Sequence, residues 1–444
     1  MKNILNTIAK YSLLCGTVLF ATSCEFEEVI DQDGPSVDGV SVEASKGQLN
    51  ELVVGVESTT RNGLGVEVSA SGTMARELYL FDADPRNTSD LLGKNGTPLD
   101  NNSFYSTSQW GGNYRAIKNA NLLIDAVNNT SAVNDAERSG YLGYAKTVIA
   151  YELIQVLKAY NKARVDVSDP DNLGPLLDFD PAIAGIRAML NEANGNLQNA
   201  GDSFVFSLSD GFEGYDTPAT FSQFNRAAAA VAAVYAGDGA GAITALNASY
   251  FDLTGDLTMG PKHTFGLGGN DQANPVFRVP STDDFPNNGD QIIVHDSWLA
   301  DAEVGDTRVT SKTAPRPDPT ASQDGLTGVN ETRLYATNTS EIDMIRNEEL
   351  ILVFAEASIL AGALPNAEAA LNVIRNQYTI GDFGGATDAA SLTSEMLNQR
   401  RYSLWSENHR MFDLRRYSLS NTLPIDREGD QIFNVLPIPL TENL

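Results

Sequence analysis

Residues 347–377 read NEELILVFAEASIL, AGALP and NAEAALNVIRNQ, and this stretch decides the fold class. Its first and last parts have apolar side chains at helical spacing, and Gly362 to Pro365 lie between them as a turn. Gly and Pro are strong local breakers, whereas Ala, Leu and Glu favour helix. The stretch therefore predicts two helices, 347–360 and 366–377, joined by a tight turn.

The same unit occurs earlier in the chain. Apolar residues at a spacing of three to four predict a helix from Tyr114 to Val127, ended by Asn128-Asn129, and a second helix over 135–160. Further helices are predicted over 181–197, 221–236 and 242–248, the last two separated by a glycine turn at Gly237, Gly239 and Gly241. Helix pairs of this length bury their faces by stacking on one another. The predicted fold is mainly α, with tetratricopeptide-like helix pairs that form a superhelical scaffold.

Residues 253–345 interrupt this pattern with Gly, Pro, Asp and Asn and with short apolar runs at 275–279 and 291–294. They are predicted to form long inserted loops with a few short strands. Residues 48–444 are then a single domain that contains this insertion, and residues 347–444 are its C-terminal region.

The N-terminus has the features of a bacterial export signal. Lys2 and Lys10 accompany an apolar run over 11–20, which is too short to span a membrane. Residues 1–23 are predicted to be a signal peptide, because the small residues before Cys24 resemble the lipobox of bacterial lipoproteins. Cys24 would be lipidated, and 24–47 would be a flexible tether. An ordinary secreted protein with a stray cysteine is the alternative.

The net charge of −28 limits the choice of partner. Nucleic-acid binding depends on clustered Lys and Arg, so nucleic acid is not expected to be a partner, and neutral ligands are favoured over anionic ones.

The C-terminal region contains the most specific motif, LNQRRYSLWSENHRMFDLRRY (397–417). With EELILVFAEA (348–357), LNVIRNQ (371–377), FNVLPIPLTEN (433–443) and WGGNYRAIKNANLLID (110–125), it resembles the SusD/RagB family of nutrient-uptake outer-membrane lipoproteins. Gln399 and Asn408 stand where the family commonly has Glu and Gly. Asn tolerates a left-handed backbone, so we expect position 408 to keep its conformation.

The resemblance implies a binding protein that is not an enzyme and needs no cofactor. Family members lie on the cell surface, bind a glycan or in some branches a peptide, and cover a TonB-dependent SusC-like barrel in the outer membrane. Glu25, Glu27 and Glu28 resemble the acidic signals that send such lipoproteins to the cell exterior. The charged residues of the 397–417 motif are expected to stabilise the fold rather than to hold ligand.

No catalytic or metal motif appears in the sequence. His263, His295 and His409 lack metal-ligand spacing. A polar loop is favoured over a calcium site for the Asp and Asn residues at 82–90. A lipid-anchored glycan hydrolase, which needs a carboxylate pair, and a structural helical adaptor remain alternatives.

Glycan binding requires aromatic faces for the sugar rings and polar side chains for the hydroxyl groups. Aromatic residues in predicted loops are therefore the stacking candidates, with polar residues beside them, and core packing is the alternative for each: Tyr79, Tyr105, Trp110 and Trp298, with Arg86, Asn101 and Asn102.

Overall fold

The computed structural model describes residues 43–269 and 271–443. The predicted signal peptide, Cys24 and most of the predicted tether lie outside these residues. At the start of the described chain, Ala44 is buried and Ser45 caps the first helix.

Helices dominate the N-terminal half. The longer ones have these bounds: α1 Lys46–Thr59, α2 Leu64–Met74, α4 Phe104–Asn128, α5 Asp135–Tyr160, α6 Phe179–Gln198, α7 Pro218–Tyr235 and α8 Gly239–Leu246. A short helix, α3, spans Arg86–Ser89. Neighbours along the chain pack as pairs, α4 with α5, α6 with α7, and α7 with α8.

Helix α5 has the predicted bounds because both of its ends are encoded locally. Asn134 and Glu137 form a reciprocal capping box at its start. Asn161 ends it in the left-handed conformation, with φ of 58°. Its buried stripe includes Tyr141 and Tyr144, so it forms the centre of the helical core.

The glycine turn after α7 is shorter than predicted. Gly237 makes the turn, with φ of +72°, whereas Gly239 and Gly241 belong to α8. A Cβ atom on Gly239 would lie 2.5 Å from the backbone oxygen of Ala357. Gly239 is therefore needed for the close approach of α8 to a C-terminal helix.

The C-terminal pair matches the opening prediction, with α11 over Asn347–Leu360 and α12 over Leu364–Gln377. Two further helices follow, α13 over Ala389–Ser403 and α14 over Arg410–Arg416. Asn408 lies between them with φ of 59°, in the left-handed conformation expected for it.

The inserted region supplies most of a four-stranded antiparallel sheet. β1 (Leu78–Phe81) pairs with β5 (Gln291–Val294), which pairs with β7 (Asn330–Thr332), and β6 (Thr313–Pro315) is the far edge. The register places Leu78 opposite Val294. The insertion is thus part of the core rather than a set of separate loops.

Smaller elements complete the chain. Two-stranded ladders join β2 (Lys162–Arg164) to β3 (Leu176–Asp178) and β4 (Lys262–His263) to β8 (Ile342–Asp343). Short helices α9 (Asp296–Ala300) and α10 (Thr307–Lys312) lie in the insertion. Of the two apolar runs in the insertion, 291–294 forms a strand and 275–279 does not, because the Asn274 side chain accepts hydrogen bonds from two amides of the latter and holds it as a turn.

The fold is mainly α, as predicted, with a few short strands. Among the described helices, none has the length and apolar character needed to cross a membrane.

Candidate functional site

Four of the predicted ligand-binding residues lie close together at the N-terminal end of α4. They are Arg86, Asn101, Asn102 and Tyr105. The first belongs to α3 and the other three to the segment that enters α4, where Ser103 caps the helix by accepting from the amide of Ser106. This end of the helix faces solvent through Phe104, the first helical residue.

Phe104 and Arg86 form an exposed pair, which we call the platform. The Phe104 side chain is 40% exposed, and the Arg86 guanidinium carbon lies 4.8 Å from its ring centroid. The Arg86 side chain is 47% exposed and donates to both carboxylate oxygens of Asp84, with Nε at 2.9 Å and 3.0 Å. Because Arg86 donates these hydrogen bonds, the pKa of Asp84 is held below its usual value.

The platform rests on a buried polar network. Tyr105 is buried beneath Phe104, with its ring centroid 5.3 Å away in an edge-to-face arrangement. Its hydroxyl bonds to the side-chain oxygen of Asn87, and the Asn87 amide donates to Asp82. Asp82 also accepts from the backbone amide of Asp84 at 2.7 Å. These bonds fix the loop that carries Arg86.

Two distant segments hold the same loop from the other side. The Arg427 guanidinium donates to the backbone oxygen of Thr88 at 2.7 Å and to the backbone oxygen of Asp324 at 3.0 Å. Asp324 in turn pairs with Lys94. The C-terminal tail and the inserted region therefore both position the platform.

Asn101 and Asn102 border the platform with free amide groups. Asn102 is exposed, and its backbone amide donates to the Asp100 side chain. Asn101 is half-buried, and its backbone oxygen accepts from the Leu440 amide. In the described chain, neither side-chain amide has a hydrogen-bond partner. Both can therefore bond to a ligand.

The predicted aromatic candidates occupy the core instead of a rim. Trp298 is fully buried, donates to the backbone oxygen of Arg401 at 3.2 Å and packs against Trp405. Trp110 is buried between Tyr114 and Tyr160.

Tyr79 is likewise buried, and its hydroxyl bonds to Asp426. With Tyr105 also buried, none of the four candidate rings has an open face for a sugar. Their large apolar area is better accommodated in the core.

The residue that sequence reasoning missed is Phe104. Among the described residues, the exposed aromatic side chains are Phe104 and Phe285, at 40% and 72%. The available signal was position, because Phe104 directly follows a Ser that caps a long helix.

The charged residues of the 397–417 motif act in the fold, as expected. Arg400 donates to Asp413 at 2.6 Å, and both are almost fully buried. Arg416 joins Asp413 to Glu356, which links α14 to α11. Burial alone would raise the pKa of Asp413, but the two arginines outweigh burial and lower it.

Comparison with known proteins agrees with this architecture. The model of the SusD family matches residues 325–436. A SusD superfamily protein from Bacteroides vulgatus superposes with a TM-score of 0.67 at 16% identity, covering 89% of this chain and 96% of that one. A SusD superfamily protein from Parabacteroides distasonis superposes with a TM-score of 0.62 at 15% identity, covering 88% of this chain and 96% of that one.

A third similar structure is the surface glycan-binding protein A from Bacteroides thetaiotaomicron in complex with laminarihexaose. Its TM-score is 0.68 at 15% identity, covering 90% of this chain and 97% of that one. No curated protein matches in sequence. The resemblance to the SusD family and the mainly helical fold are thereby confirmed.

Proposed function

We propose that this protein is a cell-surface lipoprotein that binds a neutral glycan and delivers it to a TonB-dependent, SusC-like outer-membrane transporter. The observation that carries the proposal is the platform, where an exposed Phe104 ring is held beside Arg86 and two unbonded amides.

The platform has the chemistry that a sugar chain needs. An aromatic face takes the apolar C–H face of a sugar ring, and amide and guanidinium groups bond to hydroxyls. The guanidinium of Arg86 is already paired with Asp84, so it reaches a ligand without an unpaired charge. With a net charge of −28, the protein favours neutral glycans over anionic ones.

Binding without turnover is favoured by the carboxylates at the platform. A glycosidase needs a general acid whose pKa is raised. Asp84 has the opposite shift, because Arg86 holds its pKa below the usual value. The similar structures include a surface glycan-binding protein in complex with laminarihexaose and a laminarin-binding SusD-like protein, and these support the same class of ligand.

Anchoring and transport are the finer parts of the proposal. Lipidation of Cys24 would place the protein on the outer membrane, facing the cell exterior, with the tether leading to the folded domain. Mass spectrometry of the mature protein tests for acyl chains at Cys24. We expect a Cys24→Ala variant to be released from membranes. Co-purification of a TonB-dependent barrel from outer membranes tests the partner.

The binding test is calorimetric titration of the chain from Glu25 onward with laminarihexaose and other neutral hexasaccharides. The Phe104→Ala variant removes the stacking face, and we expect about tenfold weaker binding, or about 1.4 kcal/mol. The Phe285→Ala variant is the matched control, since it removes the other exposed phenylalanine. It should bind like the unmodified protein.

Each outcome has a distinct meaning. Binding that is lost only in Phe285→Ala would move the site to the inserted region. Recovery of shortened sugar from the titration cell would replace binding with hydrolysis. If short peptides bind and no glycan does, the protein is a peptide-binding importer subunit.

A further inference from the structure

A deep cavity of about 790 Å³ lies away from the platform. Helices α2, α5 and α7 form one side, and the segment from Leu334 to Glu349 forms the other. Its lining combines apolar walls, with Val68, Ile154 and Val231 among them, with ten charged side chains. Cavities of roughly 300–1,000 Å³ are typical of small-molecule sites.

The base of this cavity carries polar side chains with no partner in the protein. Lys158 is 3% exposed and Glu349 is 5% exposed. Across the described residues, the Lys158 ammonium and the Glu349 carboxylate form no hydrogen bond with another side chain or the backbone. The hydroxyls of Tyr235 and Ser406, both more than nine-tenths buried, are also unpartnered. Buried polar groups are otherwise almost always bonded.

Burial lowers the pKa of Lys158 and raises the pKa of Glu349, and the attraction between the two groups is the largest opposing effect on each. Nε2 of His409 lies 3.9 Å from a carboxylate oxygen of Glu349, too far for a hydrogen bond. His409 is neutral, because burial lowers its pKa well below the usual value. Glu67 is occupied by the amide of Asn113 at 2.8 Å.

The side chains that line the cavity determine which class of ligand it can bind. Six carboxylates and four cationic side chains line the cavity, so it disfavours anionic ligands and suits a neutral, polar one. That ligand must accept from Lys158 and donate to Glu349, and it must bond to two hydroxyls. Sugar hydroxyl groups are both donors and acceptors, and sugar C–H faces match the apolar walls.

We propose that the cavity is a second, size-limited site that takes a free neutral di- or trisaccharide, or the end of a longer chain. The cavity volume of about 790 Å³ limits the ligand to a few sugar units, and the paired side chains of Lys262 and Glu341, 3.4 Å apart, form part of its lining. The proposal rests on the proposed glycan-binding function, although it concerns a different site.

The test is calorimetric titration of the chain from Glu25 onward with neutral trisaccharides such as laminaritriose and maltotriose. We expect two sites per protein. Glu349→Gln and Lys158→Met should each abolish one site or weaken it at least tenfold. Phe104→Ala should weaken only the other site, and exposed substitutions Glu51→Gln and Lys118→Met should change neither.

Tyr235→Phe is a milder variant that removes one unpartnered hydroxyl and keeps the ring, in case a charge-removing variant does not fold. It should weaken the cavity site alone by about threefold to tenfold.

If the unmodified protein binds one trisaccharide and this stoichiometry is the same in Glu349→Gln and in Tyr235→Phe, the cavity is not a sugar site. Retained hexasaccharide binding in that experiment would leave the proposed function standing. If a neutral dipeptide binds with the same dependence on Glu349 and trisaccharides do not, the cavity takes peptides and the sugar assignment is wrong.

Discussion

Glu77 should make the stability of this protein fall as the pH rises toward 8. Its side chain is 1% exposed, between the end of α2 and the start of β1. Burial raises its pKa from 4.5 to about 8, and Arg410 and Arg401 offset only part of that effect. The folded protein therefore binds one more proton than the unfolded chain between these two pH values.

The sign follows from proton linkage. When the folded state binds more protons, the free energy of unfolding decreases with increasing pH. Each unit of pKa shift corresponds to about 1.4 kcal/mol. A shift from 4.5 to about 8 thus corresponds to a loss of about 5 kcal/mol between pH 4.5 and pH 8, relative to a neutral side chain of the same shape.

The Glu77→Gln variant supplies that neutral side chain. We expect it to match the unmodified protein near pH 4.5 and to be more stable by about 3–5 kcal/mol at pH 9. Urea denaturation at several pH values measures the difference. Fluorescence reports on this site directly, since the Trp405 indole N–H donates to the Glu77 backbone oxygen at 3.1 Å.

Two comparisons isolate the effect. Other buried acids with raised pKa values, such as Glu67, contribute equally to both proteins and cancel in the difference. The exposed substitution Glu51→Gln should leave the pH profile unchanged. Parallel profiles for the unmodified protein and Glu77→Gln, or a less stable Glu77→Gln at pH 9, would refute the reasoning.

Four further variants test the packing. Trp298→Ala empties a fully buried site, and we expect urea denaturation to show a loss of about 3–5 kcal/mol while calorimetry shows unchanged hexasaccharide affinity in the folded protein. Gly239→Ala forces a Cβ to within 2.5 Å of a backbone oxygen and should destabilise the protein by about 1–3 kcal/mol. Gly55→Ala places its Cβ in open space on α1 and should stabilise the protein by about 0.5–1 kcal/mol. Thermal unfolding distinguishes these opposite effects. Arg400→Met leaves Asp413 buried with one arginine fewer, and a loss of about 3–5 kcal/mol in the same assay is expected; no loss would mean that Arg416 suffices.

The helices could be predicted from the sequence because their signals are local. The reciprocal bonds of Asn134 and Glu137 start α5, and the left-handed Asn161 ends it. The sheet could not be predicted in the same way. β1 at Leu78 pairs with β5 at Val294, more than two hundred residues later, and nothing local in either segment specifies that partner.

The ligand-binding role of the candidate residues stays a prediction, but the structure shows where their side chains lie. Arg86, Asn101 and Asn102 do lie together, because the sequence places them before one helix. The tyrosines and tryptophans chosen as stacking rings are all buried, which is the core-packing alternative, since large aromatic side chains contribute most to a core. Trp298 illustrates this, because its indole N–H bonds inside the protein and its ring packs on Trp405.

The contacts that hold the platform support the prediction that the inserted region and the tail belong to one domain. Arg86 lies on a short helix that follows β1, and its loop is held through Thr88 by Arg427 and through Lys94 by Asp324. These contacts join three segments that are far apart in sequence, so the exposed Phe104–Arg86 pair forms only when the whole chain has folded. A ligand that binds the platform therefore stabilises the complete fold by mass action, and ligand-dependent protection from unfolding should extend to the C-terminal tail.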